Sequence, residues 1–468
     1  APTATIAGGL AQGGTGFGGY EFGWFRDSVK SARVVHFDGT VSELTGEDLD
    51  LVADVEGITG FITSIDLLTR PLEGERVLVA AFEERETLAS AVGDLIARGV
   101  PAWNITFTNP EMGRLKNSMP NRIVHGQEVV EERAHHHEAY ILTCVFPQSR
   151  AGDVESAFRD VVKARAGKEL SEEEAAEDWA GRFKIMMVKR LGPSLIPAEV
   201  VIPASKLGEF LASVEDRIEH LLVKEGVVVN VEGREPEIAI LGFIPHDERS
   251  FGFTPAFALS LTFLEAAKAL GGRAYSTGLY FKNEGKSILG SKRLAKLSEF
   301  VGRTDPKGLM NPDKVIGSGG LIGYMMKAAA LTEPIGRFAG NLFKNKEKSP
   351  SGKGKHIPIE VEEHAYACAQ CGYCVEDCDE FYGRGWESHA PRGKWYLLRK
   401  VVEGKIPLSQ ELTDRILSCT TCEMCNNRCP VELPIEPDWL TLRGSLVQDK
   451  GFATFPPFEM MTAALGSQ

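Results

Sequence analysis

Residues 368–378 read Cys-Ala-Gln-Cys-Gly-Tyr-Cys-Val-Glu-Asp-Cys, and residues 419–430 read Cys-Thr-Thr-Cys-Glu-Met-Cys-Asn-Asn-Arg-Cys-Pro. Both runs have one spacing: three cysteines at intervals of three positions, then a fourth four positions on. Three thiolates so spaced wrap one face of an iron–sulfur cubane, and the fourth points away and ligates the neighbouring cubane. The spacing therefore assigns Cys368, Cys371, Cys374 and Cys429 to one [4Fe–4S] cluster, and Cys419, Cys422, Cys425 and Cys378 to a second. Zinc is the competing metal, but a tetrahedral zinc site needs only four ligands at looser spacing and gains nothing from two runs of four. Of the nine cysteines only Cys144 lies elsewhere. A secreted disulfide scaffold would spread them through the chain, so the pattern indicates thiols committed to metal in a reducing, cytoplasmic compartment.

The segment 379–418 between the runs contains Pro391-Arg-Gly-Lys-Trp-Tyr-Leu-Leu398, a helix start. Residues 361–450 are expected to form one helical module around the cysteines, with 451–468 as a tail. Upstream, Lys344–Lys355 holds five lysines among Ser, Gly and Pro. It reads as a solvated linker, with contact to anionic lipid as the alternative. Leu321–Phe343 reads as a moderately apolar helix broken near Pro334, so 318–360 is a helix plus linker.

Residues 73–317 alternate strand and helix signals. Strands are expected at Val77–Phe82, Ala102–Thr108, Ala139–Phe146 and Pro197–Ile202, and helices over Glu84–Ala97, from Asp153 and from Lys206. This is an α+β pattern, a mostly antiparallel sheet with helices on one face. Phe251–Leu264 is the longest uncharged apolar stretch. It is too short to span a bilayer and reads as a buried helix. His135-His136-His137 stand next to a strand and cannot converge on one metal, because neighbours on a strand face opposite ways; a surface loop or strand end fits them.

Residues 1–72 begin with Gly8, Gly9, Gly13, Gly14, Gly16, Gly18, Gly19 and Gly23. Such density marks backbone closed to other residues or backbone that approaches a ligand closely. Gly14-Thr-Gly-Phe-Gly-Gly19 satisfies a dinucleotide fingerprint, but no strand long enough precedes it and no apolar helical stripe follows. Asp38-Gly39 between two strand-like runs is a hairpin signal instead. The net charge of −13 argues against a nucleic-acid partner.

The ordered motifs Ala4-Thr-Ile-Ala-Gly-Gly9, Arg26-Asp27, Asp38-Gly39, Glu56-Gly57-x-x-Gly60-x-Ile62-Thr63 and Asp305-Pro-Lys-Gly308-x-x-Asn311-Pro312-x-Lys314 resemble FAD-linked oxidases of the glycolate oxidase and D-lactate dehydrogenase type, in the vanillyl-alcohol oxidase superfamily. Asp313 stands where that family usually has Gly. The cysteine module resembles the helical two-cluster ferredoxin of glycolate oxidase and heterodisulfide reductase subunits, with Asp379 where Pro is usual. The resemblance implies part of a PCMH-type FAD-binding subdomain over 1–72, a ferredoxin-like α+β cap over 73–317, and flavin contact by Gly8, Gly9, Gly57 and Ile62. It also implies an enzyme that oxidises a small 2-hydroxy acid and passes electrons through FAD and two [4Fe–4S] clusters to a partner acceptor.

Two departures qualify that expectation. The family's pyrophosphate-binding half is no part of this sequence, which opens at Ala1, so FAD is expected to be shared with another chain or with a segment removed from this one. No further cysteines follow Cys429, so the acceptor is expected on other redox subunits, which would also bring the chain to a membrane periphery if it goes there. Secondly, the family's metal-binding histidines are missing from Ile244-Pro-His-Asp-Glu-Arg249 and Tyr275-Ser-Thr-Gly-Leu279, leaving His246 as the base. Arg182 stands where the family places an arginine for a substrate carboxylate. A non-catalytic relay or scaffold subunit with a degenerate flavin site is the alternative.

Overall fold

The computed structural model describes residues 4–119, 121–124, 127–130, 135–278, 281–312, 314–316, 332–343 and 357–450. The linker at Lys344–Lys355, the tail at 451–468, Asp313 and residues 321–331 of Leu321–Phe343 lie outside these residues. Inside them, Pro334 sits in the first turn of the helix Glu333–Leu342, where its missing N–H has no intrahelical partner to lose.

Three large hydrophobic cores organise the described residues. The first belongs to a three-stranded antiparallel sheet, Val41–Thr45 beside Val29–Val35 beside Phe61–Leu67. The hairpin turns at Asp38-Gly39: Gly39 takes φ 83°, and Asp38 accepts the Thr40 N–H at 2.9 Å. Sequence order puts 285–316 with the cap, yet Leu289, Leu297 and Val315 pack in this first core beside Leu10, Val34 and Leu49. Arg293 on the helix Ser291–Thr304 donates to the Asp50 carbonyl at 3.1 Å and holds the two stretches together.

The second core fills one face of an eight-stranded sheet whose recorded pairings are all antiparallel. Its central strands are Asn104–Thr108, Tyr140–Pro147, Val223–Val229 and Glu237–His246. The period of two decides what each face carries. Ile105, Phe107, Leu142, Cys144 and Val228 point into the core under the helices Arg85–Ala97, Ala151–Ala164, Leu207–Glu215 and Leu259–Ala269. Thr106, Thr108, Thr143 and Glu225 alternate with them and line the opposite face. Burial pushes the Cys144 thiol up to about 12, as expected of a packed, inert cysteine.

Phe251–Leu264 is not one buried helix. It splits into Phe253–Phe257 and Leu259–Ala269, joined at Ala258 through i→i+3 bonds from Ala258 N–H to Pro255 and from Leu261 N–H to Ala258. Phe251 itself is 84% exposed, in the turn before them.

The third core is helical and surrounds the cysteines. Trp395 and Trp439 are fully buried with ring centroids 4.5 Å apart, on the helices Pro391–Val402 and Ile435–Lys450. Among the described residues no helix is long and apolar enough to cross a membrane.

Candidate functional site

The two cysteine loops have one backbone plan. Gln370 and Gly372 flank Cys371 with φ of 54° and 87°, and Thr421 and Glu423 flank Cys422 with φ of 57° and 61°. Two left-handed residues around the middle cysteine curl each loop, and three of those four positions are not glycine. A short helix follows each loop, Tyr373–Glu376 and Met424–Arg428, and the two helices pack against each other. The fourth cysteines then enter turns of their own. The Cys378 sulfur receives the backbone N–H groups of Phe381 and Glu380 at the start of the helix Asp379–Arg384. The Cys429 sulfur receives those of Leu433, Val431 and Glu432.

The packing of the two short helices crosses the fourth cysteines over. Burial pushes the Cys368 thiol up to about 12, and its thiol neighbours are Cys429 and Cys371. Cys374 is raised by burial and then by Cys368 and Cys429. Cys425 is raised by burial and then by Cys419, Cys422 and Cys378. Cys378, Cys419, Cys422 and Cys425 line one recess of ≈ 370 Å³ with the buried Lys394. Among the described residues no three His, Cys, Asp or Glu side chains converge on the position of a single metal ion; the second set instead surrounds this open space.

The polar face of the large sheet carries a second site. Open recesses of ≈ 490 and ≈ 450 Å³ share Thr108, Met112, Lys116 and Asp178 in their walls. Burial raises the Glu225 carboxyl to about 7, with Asp178 adding to the shift. Asp178 accepts the Thr143 hydroxyl at 3.0 Å and faces Lys116 at 3.7 Å. Burial, and then Lys116, lower the His136 imidazole to about 4, so that ring is neutral. His135, His136 and His137 lie in a loop before the strand, and His137 contacts Glu174 at 2.9 Å.

Arg182 and His246 are placed apart. Arg182 lines the sheet recess, but its guanidinium donates to the Trp179 carbonyl at 2.6 Å and stacks over the Trp179 and Phe183 rings at 4.0 and 4.6 Å. His246 is 1% exposed, and its Nδ1 accepts the Asp247 N–H at 2.9 Å while Nε2 meets the Phe343 carbonyl at 3.0 Å. A base role there would have to displace both backbone bonds. The residues after it form a seam to the cysteine region: Glu248 pairs with Arg399, and Arg249 pairs with Glu362 at 3.1 Å. Both arginines stack on Tyr366, each 4.8 Å from its ring centroid.

The glycine motifs of the N-terminal segment do come together. Gly8 and Gly9 lie exposed on the helix Ile6–Gln12, which packs on the strand carrying Ile62. Ala11 accepts the Glu56 N–H at 2.8 Å, next to Gly57 with φ 73°. Glu56 then gathers two distant motifs. Its carboxylate accepts the Gly278 N–H at 3.3 Å, and its carbonyl accepts the Asn311 amide. Tyr275 closes the group by accepting the Thr15 N–H at 2.9 Å.

Two family models match this chain. Residues 72–231 match the FAD linked oxidases, C-terminal domain, and residues 367–434 match the 4Fe-4S dicluster domain. Among curated proteins, the glycolate oxidase iron-sulfur subunit of Escherichia coli (strain K12) is 38% identical over 74 residues, 15% of this chain and 17% of that protein. The probable glycolate oxidase iron-sulfur subunit of Bacillus subtilis (strain 168) is 31% identical over 64 residues, 14% of each chain. Both matches thus span about a sixth or less of the relatives' length. Among solved structures, p-cresol methylhydroxylase with substrate bound aligns at TM-score 0.48 and 13% identity, over 62% of this chain and 65% of that one. An alkyldihydroxyacetonephosphate synthase aligns at 0.45 and 13%, over 66% and 57%. The chain therefore combines an FAD-oxidase-type domain with a dicluster 4Fe–4S domain in an α+β body with a helical C-terminal region. That is the architecture of an electron-transferring oxidoreductase.

Glu225, Asp178, Lys116 and His136 were not among the expected site residues. The signal available for Glu225 was two charged residues, Lys224 and Glu225, inside the otherwise apolar strand Val223–Val229. Lys224 points to the core side, where it pairs with Glu215 at 2.7 Å, and Glu225 points to the recess.

Proposed function

We propose that this chain is a flavin and iron–sulfur oxidoreductase subunit that takes electrons from a small organic acid of the 2-hydroxy acid class and passes them singly to a partner acceptor. The observation that supports it best is the crossing of eight thiols into two sets of four. Cys368, Cys371, Cys374 and Cys429 would hold one [4Fe–4S] cluster, and Cys378, Cys419, Cys422 and Cys425 the other. The donor chemistry fits, since each set is all-sulfur, and N–H groups point at the sulfurs of Cys378 and Cys429. Those dipoles stabilise the more negative, reduced form and raise the potential of each site. Bound clusters supply one-electron storage, and bound FAD the exchange between electron pairs and single electrons.

Gly8, Gly9, Gly57 and Ile62 are proposed to contact the flavin. The exposed backbone of Gly8 and Gly9 leaves room for a ligand to approach. The sheet recess is proposed to take the substrate. There Lys116 attracts its carboxylate, and Glu225, with a carboxyl near 7, accepts the hydroxyl proton in place of a histidine. Arg182 packs the wall of that recess.

The test is composition together with reduction. Anaerobically purified protein, together with its co-purifying partners, should contain iron, acid-labile sulfide and flavin, and lactate, glycolate or 2-hydroxyglutarate should bleach the flavin. Iron without flavin would favour a relay subunit. That second reading has the engaged ring nitrogens of His246 and the engaged guanidinium of Arg182 on its side.

A further inference from the structure

The two cysteine sets have different surroundings. Glu432, three residues after Cys429, pairs with Lys184 at 3.0 Å and with Arg190 at 3.6 Å. Both cations stand on the segment 181–190, which runs along the polar side of the large sheet. Met186 of that segment packs against the helical core, which also carries cysteines of both sets, Cys368 and Cys429 as well as Cys419 and Cys425. Lys189, partly buried, has the Cys368 thiol as the first of its titratable neighbours. At the other end of the segment, Trp179 and Arg182 form the wall of the sheet recess with Phe17. Phe17 meets the Trp179 and Phe183 rings edge-on at 5.4 and 5.6 Å. Arg182 has the neutral phenol of Tyr373 among its titratable neighbours, and Tyr373 lies between Cys371 and Cys374. One continuous stretch therefore touches the recess with one end and the first cysteine set with the other.

The second set is bordered differently. The recess around Cys378, Cys419, Cys422 and Cys425 is lined by residues 377–436 alone, and Cys422 is the exposed cysteine of the eight. Electron tunnelling falls steeply with distance. The set nearest the donor fills first, and the set nearest solvent is the one an external acceptor can empty.

We infer that Cys368, Cys371, Cys374 and Cys429 form the entry set, that Cys378, Cys419, Cys422 and Cys425 form the exit set, and that residues 179–190 bridge the sheet recess to the entry set. A one-electron acceptor meets the chain at Cys422. Electrons balance if each two-electron organic donor oxidised reduces two equivalents of that acceptor, the donor's protons leaving through the recess. This direction rests on the function proposed above.

The test uses the full chain carrying its clusters, reduced with dithionite. Paramagnetic resonance signals are assigned with Cys371→Ser and Cys422→Ser, each of which alters the signal of one set. A soluble dysprosium chelate should raise the half-saturation power of the Cys422-linked signal severalfold and leave the Cys371-linked signal unchanged. Equal relaxation of both, or relaxation of the Cys371-linked signal alone, overturns the assignment. Arg182→Gln should shift the midpoint potential of the Cys371-linked signal only, and a shift confined to the other signal removes the bridge. Should the serine variants fail to fold, stepwise ferricyanide oxidation of the wild-type chain followed by iodoacetamide decides the matter. Cys422 alkylated first supports the direction, and Cys368 or Cys371 first overturns it. A chain that binds no iron–sulfur cluster at all overturns the proposed function and the direction with it, whereas cluster signals with the opposite relaxation overturn the direction alone.

Discussion

The loops at Cys368 and Cys419 fold alike and live differently. Each places left-handed residues on both sides of its middle cysteine and ends in a short helix. Both loops pack on the helical core, but the first lies by the segment 181–190, where Lys184 pairs with Glu432 beside Cys429, whereas the second opens to solvent at Cys422. A duplicated motif thus gives two sites of one chemistry, and what packs against each copy makes them unequal. Burial and nearby charge are also the protein's means of setting cluster potential, so two sites of one ligand type need not share a potential.

The most severe way to break the comparison is to remove a crossing ligand. Cys429→Ala should cost the cluster held by the first loop and leave the second, and Cys378→Ala should do the reverse. Mass-spectrometric mapping of alkylated thiols checks this, with Cys368, Cys371 and Cys374 becoming reactive in the Cys429 variant. Pairing within each loop would give the opposite map.

The next contrast sets the buried seam against an exposed pair. Arg249 and Glu362 have side chains only 13% and 4% exposed. Arg249→Met should therefore destabilise by about 3–5 kcal/mol, because it strands a buried carboxylate. Arg428, 58% exposed, pairs with Asp377 between the two loops, and Arg428→Met should cost less than ~1 kcal/mol. Denaturant unfolding of the two variants measures the difference.

The sheet recess gives a pH signature. Glu225 is raised to about 7 in the folded chain, against about 4.3 when unfolded. The folded state holds the proton more tightly, so stability is full below the unfolded value, falls as pH rises between the two, and levels off above the folded one. The loss should be on the order of 3 kcal/mol. Glu225→Gln should flatten that slope, as melts at several pH values would show.

The smallest effect sharpens the loop comparison itself. Gly372 and Glu423 occupy equivalent left-handed positions, and a side chain there costs about 1 kcal/mol. Gly372→Ala should lose roughly that amount and Glu423→Gly should recover part of it. Thermal melts compare the two.

The cysteine module was legible because its ligands are fixed by spacing along one stretch of chain. Four strands of the large sheet, Glu75–Phe82, Asn104–Thr108, Tyr140–Pro147 and Ser194–Pro203, were legible as apolar runs, whereas Val223–Val229 and Glu237–His246 were not read. Three further features were not legible, and each depends on distance in sequence. The recess joins Lys116, Asp178 and Glu225 from three elements. The first core recruits Leu297 and Val315 from the far end of the cap. His246 fell on a motif-like stretch whose neighbours Glu248 and Arg249 serve as an anchor for the helical region. The apolar run at Phe251–Leu264 misled for a local reason, since composition gives no sign of a break at Ala258.

The eight thiols are proposed to hold two cubanes in crossed sets. The most direct measurement is the iron and acid-labile sulfide content of the anaerobically purified chain, read together with the paramagnetic resonance spectrum of its reduced form. Two crossed cubanes give about eight iron and eight sulfide per chain, four of each per cubane, with two reducible centres. Zinc without sulfide, or a single cluster that survives Cys429→Ala with Cys368, Cys371 and Cys374 still protected, would contradict the crossed arrangement.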